Sequence, residues 1–80
     1  MNITILFFGM ATDLVGASSS TIPLREEISL ETFKKQLFET YPELTSLHQF
    51  TIAINEEYAS NDRIVKPGDT IAIIPPVSGG

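Results

Sequence analysis

The residues best suited to do chemistry stand at the end of the sequence, in the stretch Pro75-Pro76-Val77-Ser78-Gly79-Gly80. Its two prolines favour an extended, polyproline-like backbone, because each fixes φ and lacks a backbone N–H. Gly79 and Gly80 have no Cβ, so their backbone fits a channel too narrow for any other residue. At about 3.1 Å per residue, this tail would carry a carboxylate roughly 19 Å from the fold, into a partner's active site. A frayed terminus without function is the alternative.

Composition excludes several other kinds of chemistry. The 80 residues contain no cysteine, which excludes disulfides, thiolate metal sites and iron–sulfur clusters. The only histidine, His48, is expected in a loop, and we expect no metal site. A net charge of −5 argues against nucleic acid or an anionic membrane as a partner. No apolar run or signal-peptide pattern suits a membrane or secretion, so the expected location is cytoplasmic.

The longest periodic segment is an amphipathic helix. Ser29 is a good N-cap, and Pro42 disfavours helical geometry at the residue before it. Between them the apolar residues form a single stripe: Leu30, Phe33, Leu37, Phe38 and Tyr41. Lys34, Lys35 and Glu39 are expected on the solvated face. The pattern predicts a helix of about three turns that lies on a sheet.

Strand-forming segments surround this helix. They predict strands over 2–8, 21–25, 50–54 and 70–74, a short strand at Tyr58, a helical turn over 11–15 and another turn near Leu44 and Leu47. Asn55-Glu56 reads as a turn, and Lys66-Pro67-Gly68-Asp69 suits a type II turn.

One helix and these strands predict an α+β roll, with a mixed sheet of four to five strands covered on one face. The first and last strands would pair in parallel at its centre. The domain would span 1–74, and the tail 75–80. The face towards the helix would hold Ile3, Ile5, Phe7, Ile52, Ile54, Ile71 and Ile73.

The parity of the strands also predicts an apolar patch on the other face, beside the root of the tail. It would contain Leu6, Phe8, Ala53 and Ile74, with Tyr58 nearby. Large uncovered apolar patches usually mark partner surfaces. The alternatives are an error of parity or a loop that covers the patch.

The whole chain resembles the small subunits of molybdopterin synthase, a family of ubiquitin-like (β-grasp) sulfur carriers. The resemblance depends on the ending Ile74 to Gly80 most of all. The supporting motifs are Leu6-Phe7-Phe8, Leu14-Val15-Gly16, Ile54-Asn55-Glu56-Glu57-Tyr58 and Pro67-Gly68-Asp69. Many relatives have Arg-Glu where this chain has Thr12-Asp13, which puts one charged partner contact in doubt.

The resemblance implies that the chain is a sulfur-donating subunit and is not catalytic alone. The implied site residues for the chemistry are Gly79 and Gly80. An E1-like adenylyltransferase would use ATP to adenylate the carboxylate of Gly80. A sulfur donor would then form a thiocarboxylate, and the sulfur would pass to precursor Z (cyclic pyranopterin monophosphate) in molybdenum cofactor biosynthesis. No cofactor would be bound. The partner would be the large synthase subunit, in a heterotetramer, and the implied partner-binding residues are Phe8, Tyr58, Ile74, Pro75, Pro76, Val77 and Ser78.

Three other functions stay open at this stage. A sulfur carrier for thiazole (thiamine) synthesis shares the roll and the Gly-Gly end, but such carriers are usually shorter and lack Pro-Pro-Val. A protein modifier would join Gly80 to lysine through an isopeptide bond. A binding module with an inert tail would keep its function without Gly80. An enzyme acting alone is disfavoured, since no acid, base and nucleophile cluster together in the sequence.

Overall fold

The first and last strands lie side by side in the middle of one sheet. The computed structural model describes residues 1–47 and 49–76. The strands are β1 (Asn2–Phe7), β2 (Ser19–Pro23), β3 (Ile28–Ser29), β4 (Thr51–Ile54), β5 (Glu57–Tyr58), β6 (Ile64–Val65) and β7 (Thr70–Ile74). The helices are α1 (Met10–Val15), α2 (Leu30–Thr40) and a 3₁₀ helix (Pro42–Ser46). No helix within the described ranges is long and apolar enough to cross a membrane.

The main sheet has the predicted mixed topology, with the order β2-β1-β7-β4-β5. β1 and β7 pair in parallel, with Ile5 opposite Ile71 and Phe7 opposite Ile73. All other pairs in this sheet are antiparallel. A parallel pair needs a long crossover, and α2 lies within the chain that joins β1 to β7. The predicted central pairing is confirmed.

The core lies between this sheet and α2. Each of the seven predicted sheet residues is at most 3% exposed: Ile3, Ile5, Phe7, Ile52, Ile54, Ile71 and Ile73. From α2, Leu30, Phe33 and Leu37 are fully buried against them. The stripe predicted from the 3.6-residue period therefore faces the sheet.

Both ends of α2 follow from local chemistry. The Ser29 hydroxyl accepts a hydrogen bond from the backbone N–H of Thr32 (3.2 Å), as expected of an N-cap. The helix ends at Thr40, two residues before Pro42. Lys35 and Glu39 are exposed as predicted, whereas Lys34 is only partly exposed. Its ammonium donates to Asn61 Oδ1 (2.6 Å) and lies 5.9 Å from the centre of the Phe50 ring.

Several predicted element boundaries are wrong. The second strand runs over Ser19–Pro23 and not 21–25, because Ser19 and Ser20 pair with Leu6 and Ile5 of β1. Pairing with a central strand here outweighs the low strand preference of serine. β1 stops one residue short of Phe8, β4 begins one residue after the predicted start, and α1 begins one residue early. Shifts of one residue are ordinary at the ends of elements.

The sequence pattern also missed a small second sheet, formed by β3 and β6. Ile28 pairs with Val65, and Ser29 with Ile64. The backbone N–H of Leu30 donates to the carbonyl of Arg63 (2.8 Å), which ties the start of α2 to the same segment. Strands of two residues are too short to show a period.

Candidate docking surface

The sheet face opposite α2 carries a row of side chains that crosses four strands. Strand register places Leu6 opposite Ala72, Ala72 opposite Ala53, and Ala53 opposite Tyr58. The two residues in the middle of the row are alanines, while larger side chains stand at its ends. The row is therefore concave.

Phe8 and Ile74 complete this concavity at the end nearest the tail. We use the name apolar surface for Leu6, Phe8, Ala53, Tyr58, Ala72 and Ile74, which line a depression of about 600 Å³ together with Asn55, Glu56 and Thr70. Phe8 is 47% exposed and Tyr58 is 77% exposed. Two aromatic side chains left open beside a concave apolar floor are typical of a surface that a protein partner covers.

A tight turn between β4 and β5 positions Tyr58. Asn55 (φ 51°) and Glu56 (φ 72°) both adopt left-handed backbone conformations, as the central residues of a type I′ hairpin turn do. The Asn55 amide donates to Asp69 Oδ1 (2.9 Å) and accepts from the backbone N–H of Thr70 (2.9 Å). These bonds fasten the turn to the start of β7 and hold β5 in place, where Tyr58 pairs with Ala53 of β4.

The predicted type II turn over Lys66 to Asp69 lies at the same end of β7 as the hairpin turn. The backbone N–H of Asp69 donates to the carbonyl of Lys66 (3.1 Å), and Gly68 has a φ of 94° between them. This conformation is open to glycine at little cost.

The tail leaves the fold at the edge of the apolar surface. Ile74 is the last residue of β7, and Pro75 follows it against Gly9, where a Cβ would lie 3.6 Å from Pro75 Cγ. Pro75 and Pro76 border a second, smaller depression of about 240 Å³ with Met10 and Leu47. The chain thus passes from one depression into the other as the sheet ends.

Thr12 has a structural contact in this chain. Its hydroxyl donates to the carbonyl of Phe7 (2.7 Å), which fixes α1 to the end of β1 next to Phe8. Asp13 is exposed. The Thr12 side chain therefore makes a hydrogen bond within the fold, while the Asp13 side chain faces solvent.

The structure brings three predicted partner-binding residues, Phe8, Tyr58 and Ile74, around one depression. Pro75 and Pro76 lie beside it. Val77, Ser78, Gly79, Gly80 and His48 fall outside the described residues, so their predicted roles stay predictions.

Sequence reasoning missed several residues at this site. Ala72 was not included in the predicted patch, although it lies two residues before Ile74 in the same strand and therefore on the same face. The predicted turn at Asn55 and Glu56 is confirmed, but its left-handed conformation was not predicted, because the turn lacks the glycine that usually signals it.

Apart from Glu56, the charged side chains of the described residues do not line the depression on the apolar surface. Across 1–47 and 49–76, no three His, Asp or Glu side chains are grouped to hold a metal ion. Arg63 pairs with Glu57 (3.4 Å) at the surface. A hydrogen bond from the Ser60 hydroxyl lowers the pKa of Asp62, which is exposed and outside the apolar surface.

Comparison with known proteins places these features in a family, because residues 5–80 match the model of the ThiS family. The chain belongs to the ThiS family. The molybdopterin synthase sulfur carrier subunit of Dictyostelium discoideum is 42% identical to this ThiS-family chain over 95% of the chain and 93% of that protein. The subunit of the same name from Caenorhabditis elegans is 37% identical over 100% of the chain and 99% of that protein.

Solved structures agree on the fold of this ThiS-family chain. A chain in the complex of subunits 1 and 2 of the molybdopterin-converting factor from Helicobacter pylori superposes with a TM-score of 0.70 at 26% identity, over all of both chains. SAMP1 of Haloferax volcanii reaches a TM-score of 0.86 at 19% identity, over all of both chains, which shows the fold alone. The predicted ubiquitin-like β-grasp fold is confirmed.

Proposed function

We propose that this chain is the sulfur carrier subunit of a molybdopterin synthase. The observation that carries the proposal is similarity over nearly the full length to curated subunits of that name, at 42% and 37% identity. The apolar surface supports it from the structure, because an uncovered docking face adjoins the first residues of the proposed sulfur-bearing tail.

The proposed docking partner is the large subunit of the synthase, with two copies of each chain in a heterotetramer. Phe8, Tyr58 and Ile74 would contact it, since the first two are large, exposed and aromatic and the third leads into the tail. Interfaces are enriched in such aromatic residues. The neighbour from Helicobacter pylori comes from a complex of two different subunits, which supports a second subunit as the partner here.

The proposed chemistry takes place at the carboxyl group of Gly80. A carboxylate resists attack by nucleophiles, so an E1-like enzyme would first use ATP to form a Gly80 acyl-adenylate and release pyrophosphate. Sulfur from a donor would then replace AMP at the carboxyl carbon and leave a thiocarboxylate. The chain has no cysteine, so no thiol of its own would compete to attack the acyl-adenylate.

The length of the tail would link docking to sulfur delivery. Six residues in the extended form span roughly 19 Å, and Pro75 begins at the edge of the apolar surface. A subunit that covers this surface would therefore have its active site within reach of Gly80. The thiocarboxylate sulfur would bond to the pterin precursor there, and water would then cleave the C–S bond at the Gly80 carbonyl, which leaves the sulfur on the pterin and regenerates the carboxylate for another cycle.

A reconstitution tests the proposal. The thiocarboxylated chain, the large subunit and the pterin precursor are mixed, and molybdopterin is measured against the same mixture with the uncharged chain. The proposal expects product only with the thiocarboxylated chain. Absence of product with an active large subunit would contradict it.

The same preparation separates the alternatives. A carrier for thiazole synthesis would deliver its sulfur to a thiazole-forming enzyme and give no molybdopterin. A protein modifier would form isopeptide conjugates through Gly80, and a module with an inert tail would work equally well without Gly80.

A further inference from the structure

The depression on the apolar surface has one charged side chain on its rim. Of the residues that line it, only Glu56 is an acidic or basic residue, and it is exposed. Nearby acids have partners: Glu57 pairs with Arg63 (3.4 Å), and Asp69 accepts from the Asn55 amide (2.9 Å). Within residues 1–47 and 49–76, no hydrogen bond or ion pair engages the Glu56 carboxylate.

Glu56 also occupies an unfavourable backbone conformation. Its φ of 72° lies in the left-handed region, where glycine is the favoured residue of such a turn and a side chain causes strain. The turn does not relax, because the Asn55 side chain is bonded on both sides to the start of β7. Strained residues that persist are often found where function requires their side chain.

We propose that Glu56 determines specificity at the apolar surface by forming an ion pair with a lysine or arginine of the large synthase subunit. The inference rests on the proposed function, since it names the chemistry of the partner at that same surface. A rigid turn holds the carboxylate at the rim, next to an apolar floor that the partner would cover. A basic side chain bordering the partner's apolar contact would be complementary to this arrangement.

Charged pairs at the rim of an interface affect mainly the association rate and its dependence on salt. Replacing Glu56→Gln should therefore weaken binding to the large subunit by about threefold at low salt. Glu56→Lys, which puts like charges together, should weaken it by about tenfold, mostly through slower association. Both differences should nearly vanish near 1 M salt, where the Debye length is about 3 Å.

The chain offers a control that matches the change of charge. Glu39 is exposed on α2, which packs against the opposite face of the sheet. Glu39→Lys changes the net charge by the same amount as Glu56→Lys, and it should alter the affinity by less than twofold. Equal weakening by the two lysine variants would show an effect of net charge alone and would overturn the proposal.

Glu56→Gly distinguishes the effect of losing the carboxylate from any effect of disturbing the turn. Glycine relieves the backbone strain, so this variant should fold at least as stably as the natural chain, while its affinity falls as far as that of Glu56→Gln. Unchanged affinity in Glu56→Gly or in Glu56→Gln would overturn the role of the carboxylate.

A fifth variant distinguishes this inference from the proposal on which it rests. Phe8→Asp places a charge on the apolar surface itself and should abolish binding. Lost binding in Phe8→Asp with full binding in every Glu56 variant would reject only the rim contact. Full binding in Phe8→Asp would reject the docking surface, and the inference with it.

Discussion

Tyr58 provides the most quantitative test of the apolar surface as a docking site. Its side chain is large, lines one end of the depression and is 77% exposed. A tyrosine side chain can bury about 200 Å², so about 150 Å² remains for a partner to cover. At about 25 cal/mol per Å² this area is worth up to about 4 kcal/mol. Ordering of side chains on association offsets part of that. We therefore expect Tyr58→Ala to weaken binding to the large subunit by about 2 kcal/mol, or roughly 30-fold in Kd.

The same arithmetic predicts a small effect on the fold. Only about 50 Å² of Tyr58 is buried in the free chain, worth about 1 kcal/mol of the free energy of unfolding. For a domain of this size that lowers Tm by about 4–8 °C. Calorimetric titration measures the affinity, and thermal unfolding of the isolated chain measures Tm.

Ile64→Ala is the matched control for Tyr58→Ala. Ile64 is also an exposed apolar side chain, at 43%, but it lies on the separate small sheet. Its loss should leave Kd within twofold. Equal loss of affinity in both variants, or unchanged affinity in Tyr58→Ala, would refute the assignment of the surface.

Three further predictions concern the tail, the surface and the turn. Phe8→Asp should abolish measurable binding by calorimetry with little loss of Tm; a large loss of Tm would instead place Phe8 in the core. Gly79→Val should abolish sulfur transfer in the reconstituted reaction while the circular dichroism spectrum stays native, and normal transfer would argue against a narrow channel for the tail. Asn55→Ala should lower the free energy of unfolding by about 2 kcal/mol, since two hydrogen bonds are lost and alanine disfavours a φ of 51°; denaturation that matches the natural chain would show that these bonds contribute nothing.

The sequence predicted the parts of the fold that depend on periodicity. Ile3, Ile5, Ile71 and Ile73 alternate in two strands that flank the crossover, so their parity fixes both the buried face and the apolar surface. The stripe of α2 identified the covering layer in the same way. Because one face of each strand is buried, a one-residue error of register would expose the core, and few alternatives remain.

The parts that the sequence did not predict depend on tertiary contacts. Ser19 and Ser20 form a strand because β1 supplies the pairing, and serine itself gives no sign of it. Lys34 reaches Asn61, a contact 27 positions along the chain that no local pattern reveals. Glu56 adopts a left-handed conformation because the hairpin requires it. Strand parity does not extend through such a turn, so the position of Glu56 at the rim of the apolar surface was not predicted.

The central claim is that Gly80 carries sulfur, and the intact mass of the protein tests it most directly. The chain is incubated with ATP, a matching E1-like enzyme and a sulfur source, and its mass is compared with that of the untreated protein. We predict a gain equal to the exchange of one oxygen for one sulfur, mapped by fragmentation to Gly80. An unchanged mass with an activating enzyme that is active on its own carrier, or Gly80 found joined to lysine, would contradict the claim.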